Sequence, residues 1–313
     1  MTYPWLTEAE ARLARNATED RQAHALLFSG PAGLGKVGLA LGEARDLLCL
    51  EQTRPACGTC RSCQLMQGGA HPDFRRVTFE PNDKGQMRKE IVVDQIRALI
   101  TSLQLTNTLS QRKVAIVHPA EAMNRNAANA LLKTLEEPAG DVVLILVSHD
   151  EARLPATVRS RCQSVAIRQP ETTEAADWLA GQAGTDRESA LLALEAGAGS
   201  PLQAAELLDS GRIDDFRQLC EALDRLATEP GGATDAFTRL MELDSAECWR
   251  WLSLASAARA RRRLSREAES AGISGLLHLN ALANRNLRLV ATPVRQDLLL
   301  RDWLVQWQQT AGR

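Results

Sequence analysis

The chain has 313 residues, 44% of them hydrophobic and 24% charged, and its 37 Lys and Arg stand against 39 Asp and Glu for a net charge of −2. That balance excludes a disordered chain and a uniformly basic surface, and the length calls for about two domains. The longest apolar run in the first half, Val142 to Val147, falls far short of the ~20 residues of a membrane span. The opening passes from Leu6 straight into the polar stretch Thr7 to Glu10, so no signal segment and a cytoplasmic, membrane-free location are expected.

In chain order, short apolar runs predict strands at His24–Ser29, Phe74–Phe79, Lys113–Val117, Val142–Val147 and Gln163–Ile167. Helical patterns fall between them at Val37–Cys49, Val92–Leu103, Asn124–Glu137 and Leu154–Arg159. Strands alternating with helices imply an α/β domain with a parallel sheet covered on both faces. Beyond Pro170 the strand signal stops. Residues 171–208 predict two or three short helices broken by Gly181, Gly184 and the turn at 197–201, and everything from 209 onward reads as helix. Gly211, Pro230-Gly231-Gly232, Gly272 and Pro293 punctuate that last stretch. The expected organisation is an α/β domain over 1–168, a small helical domain over 169–208 and a helical bundle over 209–313.

The first predicted strand runs into Gly30-Pro31-Ala32-Gly33-Leu34-Gly35-Lys36 and then a helix, which is the setting of a phosphate-binding loop. Gly30, Gly33 and Gly35 let backbone N–H groups turn inward around phosphate oxygens, and Lys36 reaches the outer phosphates. The motif next wants a hydroxyl to hold Mg²⁺, and the chain has Val37. An acidic pair should close the strand ending at Val117, and His118-Pro119 stands there, with Glu121 further along the turn. Two missing metal-holding groups at one site argue against Mg²⁺-dependent hydrolysis. ATP binding is left doubtful, and a relic loop kept for packing is the favoured reading.

Seven cysteines is an odd count, and four of them, Cys49, Cys57, Cys60 and Cys63, fall within 15 residues. In a cytosolic chain this spacing reads as a metal site rather than a disulfide framework. Four thiolates suit tetrahedral structural zinc, closed to catalysis. The rival is an iron–sulfur run, which would continue with a further Cys-Pro, whereas Gln64-Leu65-Met66-Gln67 follows Cys63. Cys220 and Cys248 lie in helical patterns and read as core residues.

In the helix at 124–137, Ala127, Ala128, Leu131, Leu132 and Leu135 recur at helical spacing and must face the sheet. Arg125, Asn129 and Lys133 form a separate polar stripe, either solvated or presented to a partner. Further on, Ser160-Arg161-Cys162 leads directly into the last predicted strand, which places Arg161 at a sheet edge.

The phosphate loop, the four cysteines, His71-Pro72-Asp73, the run Asn129 to Pro138 and Ser160-Arg161-Cys162 together resemble the bacterial clamp-loader AAA+ family over about residues 1–210. The resemblance implies an AAA+ domain with a zinc insertion at about 49–63, a small helical lid domain and a C-terminal helical collar. Two kinds of subunit compete within it: the ATP-hydrolysing motor (gamma/tau), and a ring member that does not hydrolyse ATP. Val37, His118-Pro119 and Leu202, which stands where the motor's sensor arginine is expected, point to the second kind, as does the opening Tyr3-Pro4-Trp5-Leu6. The resemblance further implies that Arg161 acts in trans, as an arginine finger in the neighbouring motor subunit's ATP site. Permanent charge and a planar fork suit that task. The implied partners are motor (gamma/tau) and delta subunits in a ring, with primed DNA and the sliding clamp reached through the complex. Polymerase activity would belong to the DNA polymerase III holoenzyme, since nothing in this chain resembles a nucleotidyl-transfer site. A zinc-dependent nucleic-acid-binding module is a third reading.

Near the C-terminus, Trp303 and Trp307, with Leu299, Leu300 and Leu304, read equally as bundle core or as collar surface. Arg259, Arg261, Arg262, Arg263 and Arg266 suggest a DNA contact or, preferably, a solvated helix face.

Overall fold

The computed structural model describes residues 3–18, 23–228, 233–266 and 272–311. It divides into two compact units, one up to Pro170 and one from Glu171. The first unit opens with a short 3₁₀ turn, Pro4–Leu6, and helix α1, Thr7–Thr18. Strands β1 (Ala25–Ser29), β2 (Phe74–Val77), β3 (Lys113–Val117), β4 (Val142–Ser148) and β5 (Gln163–Ala166) form one sheet in the order β2-β3-β4-β1-β5, and every pairing is parallel. Helices α2 (Lys36–Leu48), α3 (Arg61–Gln67), α4 (Val93–Gln104), α5 (Arg125–Glu136) and α6 (Ala156–Arg159) complete the unit.

Strands β1, β3 and β4 are buried along their whole length because both faces of the sheet are covered. Alternate residues serve opposite layers, as the period of two requires. Leu27, Ala115, Val117, Leu144 and Leu146 pack with Leu99 of α4 and with Ala127, Leu131 and Leu135 of α5. Leu26, Phe28, Val114, Ile116, Ile145 and Val147 pack with Leu13 of α1 and with Leu39, Ala40 and Ala44 of α2. Asn124 starts α5 by accepting a hydrogen bond from the Ala127 N–H at 2.9 Å. The exposed residues of this helix include Arg125, Asn129 and Lys133, so the polar stripe lies on its solvent face.

The second unit is entirely helical among the described residues: α7 (Thr172–Ala183), α8 (Arg187–Ala196), α9 (Pro201–Asp209), α10 (Ile213–Thr228), α11 (Ala233–Glu242), α12 (Ser245–Arg266), α13 (Ile273–Leu289) and α14 (Gln296–Ala311). Ser200 caps α9, and Pro201 occupies its first turn, where a missing N–H costs nothing. One contiguous core runs from Ala175 and Leu179 through Phe216 to Trp249, Trp251, Trp303 and Trp307. The Trp303 and Trp307 rings stack with centroids 5.2 Å apart. Their indole N–H groups donate to the carbonyls of Leu279 (3.0 Å) and Leu223 (2.9 Å), so both belong to the bundle core.

The arginine run on α12 is largely engaged with its own unit. Arg259 pairs with Asp224 and covers the Trp307 ring, Arg262 donates to Glu195 at 2.8 Å, and Arg263 donates to the Ala311 carbonyl at 2.9 Å. Cys248 is buried, and Cys220 is half-buried against the same core. The Pro230–Gly232 turn and the Arg266 side chain lie outside the described residues. No helix among those described is long and apolar enough to cross a membrane.

Candidate functional site

The loop from Gly30 to Gly35 joins the C-terminal end of β1 to the N-terminus of α2, at the edge of a parallel sheet where ligands of α/β proteins bind. Gly30, Gly33 and Gly35 all have positive φ. Lys36 is 2% exposed, and its ammonium donates to the Pro31 carbonyl inside the loop. Burial pushes its pKa down to about 8, against a smaller opposing pull from Glu121. Val37 packs at the margin of the apolar layer under α2. Trp5 donates its indole N–H to the Leu34 carbonyl at 2.9 Å and stacks on Tyr3, 5.3 Å between centroids, so the opening segment lies against this loop.

Two histidines meet where an acidic pair is absent. His118 follows β3 and His149 follows β4, and the register of these neighbouring strands brings their ends together. The two Nε2 atoms are 3.1 Å apart, with the rings edge to face. The backbone N–H of His149 donates to a carboxylate oxygen of Glu121 at 3.1 Å. Burial, then His149 and Arg76, push the pKa of His118 down to about 4, and burial, then Lys36, also lower that of His149. Both rings are therefore neutral near pH 7. A sequence reading identifies His118 as a departure from the motif but misses its contact with His149, which depends on strand register. Glu121 lies in the same cluster and keeps one carboxylate oxygen buried with no hydrogen-bond partner.

The cysteine cluster closes on itself. The sulfurs of Cys49, Cys57, Cys60 and Cys63 all lie within 4.8 Å of one another, and those of Cys57 and Cys63 are 3.9 Å apart. Zinc–sulfur bonds of about 2.3 Å in tetrahedral geometry place sulfurs roughly 3.8 Å apart, so the four residues fit a metal ion such as zinc. Backbone N–H groups point at the sulfurs: Cys60 N–H at Cys57 (3.3 Å), Cys63 N–H at Cys60 (3.5 Å) and Cys57 N–H at Cys49 (3.5 Å). The N–H groups of Cys60 and Thr59 pull the Cys57 thiol down to about 6, toward the thiolate a metal requires. Zinc held here would supply a structural cross-link, because its four positions are all taken by protein.

The module is tied to α2 and to the loop at 108–110 by polar contacts, several of them buried. Ser62 donates to the Leu48 carbonyl at 2.7 Å and meets His71 Nε2 at 2.8 Å. His71 Nδ1 accepts from the Asp73 N–H, and the Asp73 carboxylate accepts three backbone N–H groups, those of Thr108, Leu109 and Ser110, at 2.7–2.8 Å. Arg54 makes a two-pronged contact with buried Glu43, both hydrogen bonds 2.8 Å long.

Arg161 lies in the turn between α6 and β5, an edge strand of the sheet. Its Nε donates to Glu136 Oε1 at 2.7 Å, Nη2 pairs with the same oxygen, and Nη1 donates to the Thr157 carbonyl at 3.0 Å. The side chain remains 34% exposed, which leaves it accessible to an incoming group. Cys162 beside it is half-buried in the apolar layer under α5, and burial holds its thiol up at about 12.

A five-stranded parallel sheet with a phosphate loop after β1, followed by a helical unit, is the architecture of the clamp-loader class of AAA+ proteins. A gamma-subunit-related DNA polymerase III protein of Thermotoga maritima shares it with a TM-score of 0.56 and 17% identity, over 96% of this chain and 99% of that one. Residues 5–171 match the family described as "DNA polymerase III, delta subunit". DNA polymerase III subunit delta' of Pseudomonas aeruginosa is 35% identical over 310 residues, which cover 98% of this chain and 90% of that protein. The subunit delta' of Escherichia coli is 37% identical over 222 residues, 71% of this chain and 65% of its own. The chain belongs to the delta' family of DNA polymerase III clamp-loader subunits.

Proposed function

We propose that this delta' subunit is a stator: a ring member that does not hydrolyse ATP itself but completes the ATP site of a neighbouring motor subunit with Arg161. The observation carrying the first half is the His118–His149 contact at 3.1 Å, which fills the strand ends where a hydrolytic site needs acidic metal-holding groups. Val37 beside the phosphate loop and Leu202 at the start of α9 supply no hydroxyl and no guanidinium, and Lys36 is turned onto Pro31. The second half is supported by the placement of Arg161, accessible at a sheet edge beside the exposed stripe of α5.

In this reading the partners are a gamma/tau-type motor on one side and a delta subunit on the other. The assembled ring loads the sliding clamp onto primed DNA, with zinc stapling residues 49–63 as a structural ion. Residues 169–208 serve as the lid segment and 209–313 as the collar. A motor function for this chain is the competing reading.

Reconstitution with motor and delta subunits tests the proposal. The lone chain is expected to show neither ATP turnover nor heat on titration with Mg²⁺-ATP, and its addition should stimulate turnover by the motor. Arg161→Ala should keep zinc and assembly but slow the complex by about 10³-fold, on the scale of other trans arginines. ATP hydrolysis by the isolated chain, or full turnover with Arg161→Ala, overturns it.

A further inference from the structure

Arg161 is held by its own chain in a way that folding alone does not require. Glu136, the last residue of α5, reaches across 25 positions of sequence to engage the Nε and Nη2 edge of the guanidinium through one oxygen. The Thr157 carbonyl and the Ser160 hydroxyl, at 3.0 and 3.3 Å, hold Nη1 from the other side. Arg161 is 34% and Glu136 48% exposed, and an ion pair open to solvent to this degree adds little to stability. What it does add is orientation. The hydrogen bonds to Glu136, Thr157 and Ser160 use Nε and Nη1, while Nη2 meets Glu136 only as an ion-pair contact. Nη2 thus keeps donor capacity, on a side chain that solvent reaches. The pair therefore need not break for Arg161 to meet an acceptor from outside.

We infer that Glu136 is a positioning residue: it fixes the Arg161 fork in the orientation that meets phosphate oxygens of the neighbouring subunit's nucleotide. This rests on the trans-arginine reading of Arg161 given above. A long side chain that is already oriented loses less conformational freedom on reaching the transition state, and small misplacements of a catalytic group are costly in rate. Because the contact acts on orientation, Glu136 should influence the chemical step in the neighbour and not the neighbour's affinity for ATP.

The test uses the reconstituted complex and DNA-stimulated ATP turnover. Glu136→Ala is expected to lower kcat about five- to tenfold while KM for ATP changes less than about twofold. Glu136→Gln keeps an acceptor at the same reach and should recover most of the rate. The double variant Glu136→Ala/Arg161→Ala should be no slower than Arg161→Ala alone. Zinc content and melting temperature of Glu136→Ala should match the parent.

Parental turnover in Glu136→Ala alongside a slow Arg161→Ala overturns the positioning role and leaves the arginine reading intact. Faster turnover in Glu136→Ala also overturns it, marking Glu136 as a restraint. A double variant slower than Arg161→Ala overturns it too, because Glu136 would then act by another route. Parental turnover in Arg161→Ala removes both readings together.

Discussion

His118 and His149 face each other Nε2 to Nε2 at 3.1 Å across the ends of adjacent strands β3 and β4. Such a contact needs one proton between the two nitrogens, one ring donating and the other accepting, and burial disfavours charging either ring further.

It follows that acid should destabilise the protein through this pair. His118 has a folded pKa of about 4 against an ordinary value of 6.5, so between those values the unfolded chain binds the proton and the folded chain does not. The stabilisation is complete above pH 6.5 and is lost progressively as pH falls toward 4. Allowing for its partial exposure, the loss attributable to His118 is about 1–2 kcal/mol. His149, also lowered by burial, acts in the same direction. Urea midpoints at pH 7.5 and pH 5 should differ less in His118→Gln than in the parent. An equal drop in both proteins rules this origin out.

The four-cysteine cluster offers a sharper substitution than simple cysteine removal. Cys60 is the N-cap of α3, its sulfur accepting from the Cys63 N–H. Cys60→Ser keeps an N-capping oxygen but removes one of four ligands, so whatever is lost reports on the metal and not on the helix start. Metal content should fall from about one zinc per chain toward none. The segment 49–63 should then become the first site of limited proteolysis. Full zinc occupancy in the variant would show that three cysteines suffice.

Asp73 is expected to be among the least replaceable polar residues of the first unit. Its carboxylate is 2% exposed and satisfies three consecutive backbone N–H groups of the loop at 108–110. Burial raises its pKa, but those three donors and His71 outweigh burial and hold it below the usual carboxylate value. Asp73→Ala removes the acceptor from three N–H groups, of which that of Ser110 is buried, at a cost of about 1–3 kcal/mol in urea unfolding. Asp73→Asn keeps one acceptor and should cost less.

The contrast between Asp73 and strand β3 shows what the residues alone make legible. Lys113–Val117 is an uninterrupted apolar run after its lysine, bounded on both sides by polar residues, and it forms a strand over that span because both faces of the sheet are covered. The four cysteines are equally plain, since their spacing in sequence already implies convergence. By contrast, α3 is a seven-residue helix inside the cysteine loop, with a start fixed by Cys60 and a body fixed by buried Ser62, and neither contact leaves a periodic trace. Helix α1 buries little beyond Ala9 and Leu13, too sparse a stripe to stand out. His149 and Glu136 acquire meaning only through partners 31 and 25 positions away, brought close by strand register and by the end of α5. The motif at 71–73 is visible as a resemblance, while its task of tying the cysteine module to the loop at 108–110 emerges only from the hydrogen bonds.

The glycines of the phosphate loop carry the last prediction, because their chemistry has two separable causes. Gly30 has a φ of +144°, and a methyl group there would overlap the Ile167 carbonyl oxygen, which belongs to backbone and cannot move aside. Gly35 has a φ of +83°, and its methyl group would fall 2.6 Å from the Tyr3 ring. Both positions thus exclude other residues through packing and backbone conformation, without reference to any bound phosphate. Gly30→Ala should therefore destabilise the nucleotide-free protein by about 3 kcal/mol or more, and Gly35→Ala by less, since Tyr3 is a side chain that can shift. Urea unfolding without nucleotide decides it. Unchanged stability in Gly30→Ala would mean that nucleotide, and not the fold, requires glycine there. The expected loss gives the loop glycines a role in the fold that does not depend on nucleotide, with Val37 and His118 standing close by in sequence and site.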